Sequence, residues 1–129
     1  SVQLSDGWVG SLNNIVPERG YWIRTPEFIE SDSIIYTIEN AIPTDMDFLY
    51  EIHPDYNLIS YVGLDGVSIG QALPDDIEDS VSGIIGEGVA ANNMGDAWQG
   101  SLTAFNGGKG YWMITTADIS FLYDLTNLV

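Results

Sequence analysis

The chain contains no cysteine. Disulfides, thiolate metal sites and thiol nucleophiles are thereby excluded. No compartment follows from this, because many exported bacterial proteins also lack cysteine. Basic residues are nearly as scarce. Three Lys and Arg against nineteen Asp and Glu give a formal net charge of −16 over 129 residues. Nucleic-acid binding needs cations facing phosphates. Three cannot supply that, and the field of the acidic chain repels a polyanion. Anionic membrane surfaces are disfavoured for the same reason. A surface so acidic and Lys-poor suits a salty medium, where screening relaxes self-repulsion, so a marine or extracellular origin is expected.

Other tools of catalysis are missing too. Histidine occurs once, as His53 directly before Pro54, and no Gly-x-Ser-x-Gly elbow is present. Nucleophilic hydrolysis needs a base oriented beside a Ser, Thr or Cys, so His53 is read as a surface or packing residue. No apolar run approaches the roughly 20 residues of a membrane-spanning helix, and membrane insertion is not expected. There is no signal peptide, and the chain opens on Ser1 rather than Met. A processed chain, or a piece of a longer one, is the expectation.

What is present is a globular composition, 45% hydrophobic and 12% aromatic, and one motif written twice. Trp8-Val9-Gly10-Ser11-Leu12 leads to Gly20-Tyr21-Trp22-Ile23-Arg24-Thr25, and Trp98-Gln99-Gly100-Ser101-Leu102 leads to Gly110-Tyr111-Trp112-Met113-Ile114-Thr115. The copies lie 90 positions apart without a gap from Asp6/Asp96 to Ile29/Ile119, and nine positions between 8 and 29 are identical. Arg19 stands where Lys109 stands in the second copy. Chance does not align two tryptophans, two Gly-Tyr-Trp triplets and a basic residue in one register, so the pattern reads as an internal duplication. Gly-Tyr-Trp-Ile/Met suits a strand, with Tyr21 and Ile23 on one face and Trp22 on the other. Asn106-Gly107-Gly108-Lys109-Gly110 is a turn free to take positive φ, and Val16-Pro17-Glu18-Arg19-Gly20 builds its counterpart with Pro. Each copy is therefore expected to be a hairpin, strand, tight turn, strand, with Trp8 or Trp98 on its first arm. Its rings are expected mainly to fill a small core, with an exposed ring for a sugar, peptide or partner as the competing reading.

Further elements follow from composition. Val2 and Leu4 start a strand ended by Asp6-Gly7. Ser33 to Ile38 and Phe48 to Ile52 read as strands, with Pro43 to Asp47 and His53-Pro54-Asp55 as breaks. Tyr56 to Val62 is a strand turned by Leu64-Asp65-Gly66. Ser68 and Gln71 have capping-box spacing. Pro74 cannot sit inside a helix, so one helical turn ends near Leu73 and a second begins at Pro74, with Asp75 and Asp76 near its positive end. Ser82 to Ala91 reads as a strand made flexible by its glycines, which suit a bulge or sharp bend, and Ile119 to Leu125 closes the unit that holds the second copy.

The runs Tyr56 to Ser60, Ala72-Leu73-Pro74-Asp75-Asp76, Ile85-Gly86-Glu87-Gly88, Trp98 to Leu102 and Gly107-Gly108-Lys109-Gly110-Tyr111-Trp112 resemble a tandem, mostly uncharacterised module of large exported proteins in marine bacteria and environmental sequences. The resemblance covers most of residues 56–125 but only the motif part of residues 6–29. It implies a small β-barrel module of a secreted or surface protein, and carries no activity with it.

Paired carboxylates are the remaining catalytic option. The Asp75, Asp76, Glu78 and Asp79 cluster sits on one helix end, whereas glycoside hydrolysis needs two carboxyls across a cleft. No catalytic residue is assigned. Calcium is better supplied with hard oxygen ligands, from Asp45/Asp47, Asp65 or the 75–79 cluster, but no run matches an EF-hand loop and no metal ligand set is assigned. Gly83, Gly86 and Gly88 lack the Gly-Lys-Ser/Thr of a phosphate loop.

The expected protein is mainly β: two related small units, residues 1–45 (truncated at its start) and 46–129 (complete). Each is a strongly bent antiparallel sheet or partly open barrel, and a short helix is expected at about 69–79. The expected function is a non-catalytic structural or adhesive repeat module of a larger exported protein, located on a cell or virion surface or secreted. It would associate with itself or with other domains of a parent protein. The alternative is carbohydrate binding through exposed rings, with Trp8, Trp98, Tyr111 and Trp112 as candidates.

Overall fold

The computed structural model describes residues 1–16, 18–25, 35, 37, 39–40, 42 and 44–125. The strand expected at 33–38 lies largely outside them. The described chain is mainly β. In order it forms β1 (Val2–Leu4), β2 (Gly7–Val9), β3 (Tyr50–Ile52), β4 (Asp55–Ser60), β5 (Val67–Ser68), α1 (Ile69–Ala72), α2 (Asp75–Glu78), β6 (Val81–Gly86), β7 (Val89–Asn93), β8 (Trp98–Gly100), β9 (Ala104–Phe105), β10 (Gly110–Thr115) and β11 (Ile119–Phe121). The central sheet is antiparallel with strand order β4-β10-β6-β7-β8. Three two-stranded ladders, β1-β2, β3-β11 and β5-β9, surround it. No sheet closes on itself among the described residues, so the barrel that the resemblance implies is absent there. No helix among them is long and apolar enough to cross a membrane.

Three expectations need correcting. Trp98 and the Gly-Tyr-Trp strand are not two arms of one hairpin. β8 pairs with the strand before it, β7, through a turn at Gly95, while β10 is inserted between β4 and β6. The reason is burial. β10 is apolar on both faces, and a strand of that kind is stabilised by neighbours on both edges in the middle of a sheet. The glycine-rich run after Ser82 is likewise two strands rather than one bent strand. Gly86 pairs with Val89 across Glu87-Gly88, and Gly88 takes φ +69°, a conformation that costs glycine nothing. Finally, residues 21–25 of the first copy, matching β10, are not in a strand.

The helical reading holds closely. α1 ends before Leu73, and α2 starts after Pro74 with Asp75, Asp76 and Glu78 in its first turn. Ser68 does precede α1, but its hydroxyl donates to Gln71 Oε1 at 2.9 Å instead of capping a backbone N–H. The capping-box pair is thus closed side chain to side chain.

The core lies on one face of the central sheet. Ile59, Tyr111, Met113, Ile84 and Ala91 point inward and are all buried. Against them packs a cluster of rings. Tyr61 stacks on Phe105 at 5.0 Å and Tyr50 on Phe121 at 5.4 Å, and Tyr123 sits edge-on to all four. Each such pair contributes about 0.5–1.5 kcal/mol beyond its burial. Ile69, Ala72, Leu73 and Ile77 cover one side of this cluster, and Asp124 N–H donates to Ala72 O at 2.7 Å, binding the closing segment to α1.

Candidate functional site

Strands alternate their side chains, and residues directly opposite share a face. Trp112 lies opposite both Leu58 and Ile85, and Ile114 opposite Tyr56 and Gly83. These residues therefore form the outer face of the central sheet, turned away from the core. Tyr56 is 58% exposed, and Leu58, Ile85, Trp112 and Ile114 are half-buried. Tyr56, Ile85 and Trp112 line a shallow depression of about 280 Å³. The two rings meet edge to face with centroids 6.4 Å apart. No charged side chain lines this depression. Such a surface can stack an apolar or sugar face, or pack against protein. Its lining carries no carboxylate, imidazole, amine or thiol.

The four ring candidates do not converge. Trp8 stands on β2 and is 70% exposed. Trp98, on β8, is half-buried against the core, and its indole Nε1 donates to Glu78 Oε1. That bond joins β8 to α2. Tyr111 points into the core, 2% exposed, and its hydroxyl accepts the Asn106 N–H at 2.9 Å; neither ring face is open to a ligand. Trp112, its neighbour in sequence, is on the opposite side of the sheet. Tyr56, Leu58, Ile85 and Ile114 escaped the sequence reading. Their signal was the unbroken apolar run of β10, which asks for a strand on each edge.

A second depression, about 360 Å³, is lined by Glu51, Ile52, His53, Asp118, Ile119 and Ser120. His53 is exposed, and its Nδ1 donates to Pro54 O at 2.7 Å. Its backbone is held by Asn57, which accepts from His53 N and donates to His53 O at 2.7 Å. Thr115 Oγ1 also donates to His53 O, at 2.8 Å. The residue thus marks a pinned turn, with Asp55 at φ +76°. Among the described residues no three His, Asp or Glu side chains converge as a metal ligand set.

Among the described residues, the titratable groups that depart from their ordinary behaviour are buried tyrosines. Burial pushes the Tyr61 hydroxyl up to about 12, with Tyr111 and Asp65 adding to it. Burial also raises Tyr123 well above 10 and raises Tyr50, the latter partly offset by a 2.8 Å hydrogen bond with Ser60 Oγ. These groups belong to the core and line neither depression.

The two motif copies share local geometry. β1 and β2 pair Gln3 with Trp8 and Val2 with Val9, and β7 and β8 pair Asn93 with Trp98 and Asn92 with Gln99, the same register 90 residues on. Gly10 has φ +141° and Gly100 φ +151°. The Tyr21 hydroxyl accepts Val16 N–H at 2.9 Å, as Tyr111 accepts Asn106 N–H. Leu12 N–H donates to Ser1 Oγ where Leu102 N–H donates to Ala90 O. The copies also touch. Arg19 bridges Ile59 on the free edge of β4, Gly20 N–H donates to Leu58 O at 3.1 Å, and Ser60 N–H donates to Glu18 O at 3.3 Å. A Cβ placed on Gly20 would stand 3.2 Å from the Cα of Gly110, its counterpart. A scan of protein families, curated proteins and solved structures finds no match to this chain.

Proposed function

We propose that the chain is a non-catalytic structural or adhesive repeat module of a larger exported or surface protein, made of two related units within residues 1–45 and 46–129. The observation that carries this reading is the identical pairing of Gln3 with Trp8 and Asn93 with Trp98, together with the same tyrosine-to-backbone bond in each copy. Residues kept in both copies serve the backbone: a left-handed glycine, and a phenol holding the turn before it. A repeat whose shared residues are architectural is used for its shape. The acidic surface fits the salty surroundings of an exported protein.

The second reading is carbohydrate binding. It rests on the Tyr56 and Trp112 rings lying open on an uncharged face. One experiment separates the two. A glycan array, followed by titration of hits against intrinsic tryptophan fluorescence, is expected to give no saturable binding. Saturable binding lost in Trp112→Ala but kept in Trp8→Ala would replace the structural reading by the sugar-binding one. Turnover of any substrate, lost on replacing a carboxylate, would overturn both.

Calcium remains a proposal of lower rank, because its candidate carboxylates form no cluster of three among the described residues. Thermal melting with calcium and with chelator is expected to give the same midpoint.

A further inference from the structure

The same motif is covered in one place and bare in another. Leu102, Phe105 and Met113 are 6%, 0% and 0% exposed, whereas their counterparts Leu12, Ile15 and Ile23 are 44%, 67% and 65% exposed. Trp98 is packed on the core and Trp8 is 70% exposed. Positions that the second copy treats as core are thus solvent-facing in the first. The outer face of the central sheet, with Tyr56 58% exposed and Leu58, Ile85, Trp112 and Ile114 half-buried, is a second apolar surface that stays partly open among the described residues. Contiguous apolar surfaces of this kind mark association sites.

We infer that these two surfaces are complementary and that copies of this chain assemble head to tail, residues 1–25 of one copy seating on the outer sheet face of the next. The inference rests on the structural reading proposed above. Two observations select this occupant. The first is charge. Residues 1–25 hold Asp6 and Glu18 against Arg19 and Arg24 and are neutral, while Lys109 is the only Lys or Arg among residues 44–125, which hold thirteen Asp and Glu. Two sheet faces brought together would oppose two strongly acidic bodies. The N-terminal segment instead brings two of the chain's three cations to an acidic partner, and like-charge pairing is avoided. The second is continuity. Within one chain Glu18 to Gly20 already pairs with the edge of β4, and Gly20 lies against the side chain of Leu58. That tether holds the first copy against the Leu58 corner of the outer face, while Tyr56 and Trp8 both remain exposed. A second copy can therefore reach the face that the first cannot close. An interface between two different patches does not close on itself unless a ring forms, so growth is open-ended.

The test is sedimentation velocity of the full chain over a wide concentration range, with the charge-neutral variants Trp8→Ser and Tyr56→Ser. The unmodified chain is expected to show a rising distribution of sizes, and each variant alone to be monomeric. An equimolar mixture of the two is expected to stop at a one-to-one dimer, because each supplies the patch that the other lacks. A chain that stays monomeric at millimolar concentration overturns the inference and leaves the repeat-module reading standing. Association untouched by either variant, or variants that fail to complement each other, also overturns it. Saccharide binding at Trp112 would instead remove the module reading beneath it. Should a variant fail to fold, amide hydrogen exchange of the unmodified chain decides. Protection must rise with concentration at residues 8–15 and 56–58 together, and a rise at only one of them, or at neither, refutes the assembly.

Discussion

Two tyrosine hydroxyls in the core differ in one respect. Tyr123 donates to Ser60 O at 3.2 Å, whereas Tyr61 OH is buried with no hydrogen-bond partner among the described residues. An unpaired buried hydroxyl costs free energy that a paired one does not. Tyr123→Phe is therefore expected to lower stability by about 1 kcal/mol, and Tyr61→Phe to leave it unchanged or raise it by about 1 kcal/mol. Urea unfolding midpoints of the two variants check this, the order of the two being the decisive outcome. The same rings set an alkaline limit. Tyr50, Tyr61 and Tyr123 are neutral when protonated, and folding raises all three, Tyr61 to about 12. The folded state therefore holds its protons more tightly than the unfolded chain does. Their contribution is complete below the unfolded value near 10 and is lost as pH rises from there through about 12. Urea midpoints should fall steadily over that window, with tyrosinate absorbance appearing together with unfolding.

At the level of elements, β8 is fixed by a close approach and a clamp. A Cβ on Gly100 would lie 2.1 Å from Ala90 O, and its φ of +151° is one that a side chain rarely adopts. Gly100→Ala is expected to cost about 3 kcal/mol or more, combining strain with a displaced strand. Asn93 is the clamp. Its Nδ2 donates to Glu78 O at 3.0 Å and Val81 O at 3.1 Å, and its Oδ1 accepts Gly95 N–H at 2.8 Å. Asn93→Ala should cost about 2–3 kcal/mol by leaving part-buried carbonyls unpaired. Guanidinium unfolding measures both. At this scale much was legible. Pro74 divides the two helical turns because its ring and missing N–H stop the first, and Asp6 and the Asn106 to Gly110 run mark turns. What local pattern could not reveal is that β10 pairs with two strands remote in sequence. An apolar run records a place in the middle of a sheet but not which strands flank it. For the candidate site, Trp112 was legible as a ring on the face opposite Tyr111, while its partners Tyr56 and Ile85 come from β4 and β6, and only pairing brings them beside it.

Over the whole molecule, charge dominates. A net charge of −16 on 129 residues repels itself in the compact state. Added monovalent salt is expected to raise the thermal midpoint by several degrees as the repulsion is screened. A flat or falling response would mean that the carboxylates are too dispersed to interact. The open sheet adds a second property. Its face and the N-terminal segment both present apolar side chains to solvent, so screening should also promote association. Salt dependence of size, followed beside the melting curve, separates the two effects.

The sequence by itself determined the β class, the two helical turns and the absence of thiol chemistry. All of these depend on residues near each other in the chain or on composition. Only the tertiary structure decided which rings are covered. Trp8 and Trp98 stand in the same local setting, yet one faces solvent and the other is held by Glu78 on α2. Burial depends on what packs against a side chain, and that partner lies outside the motif.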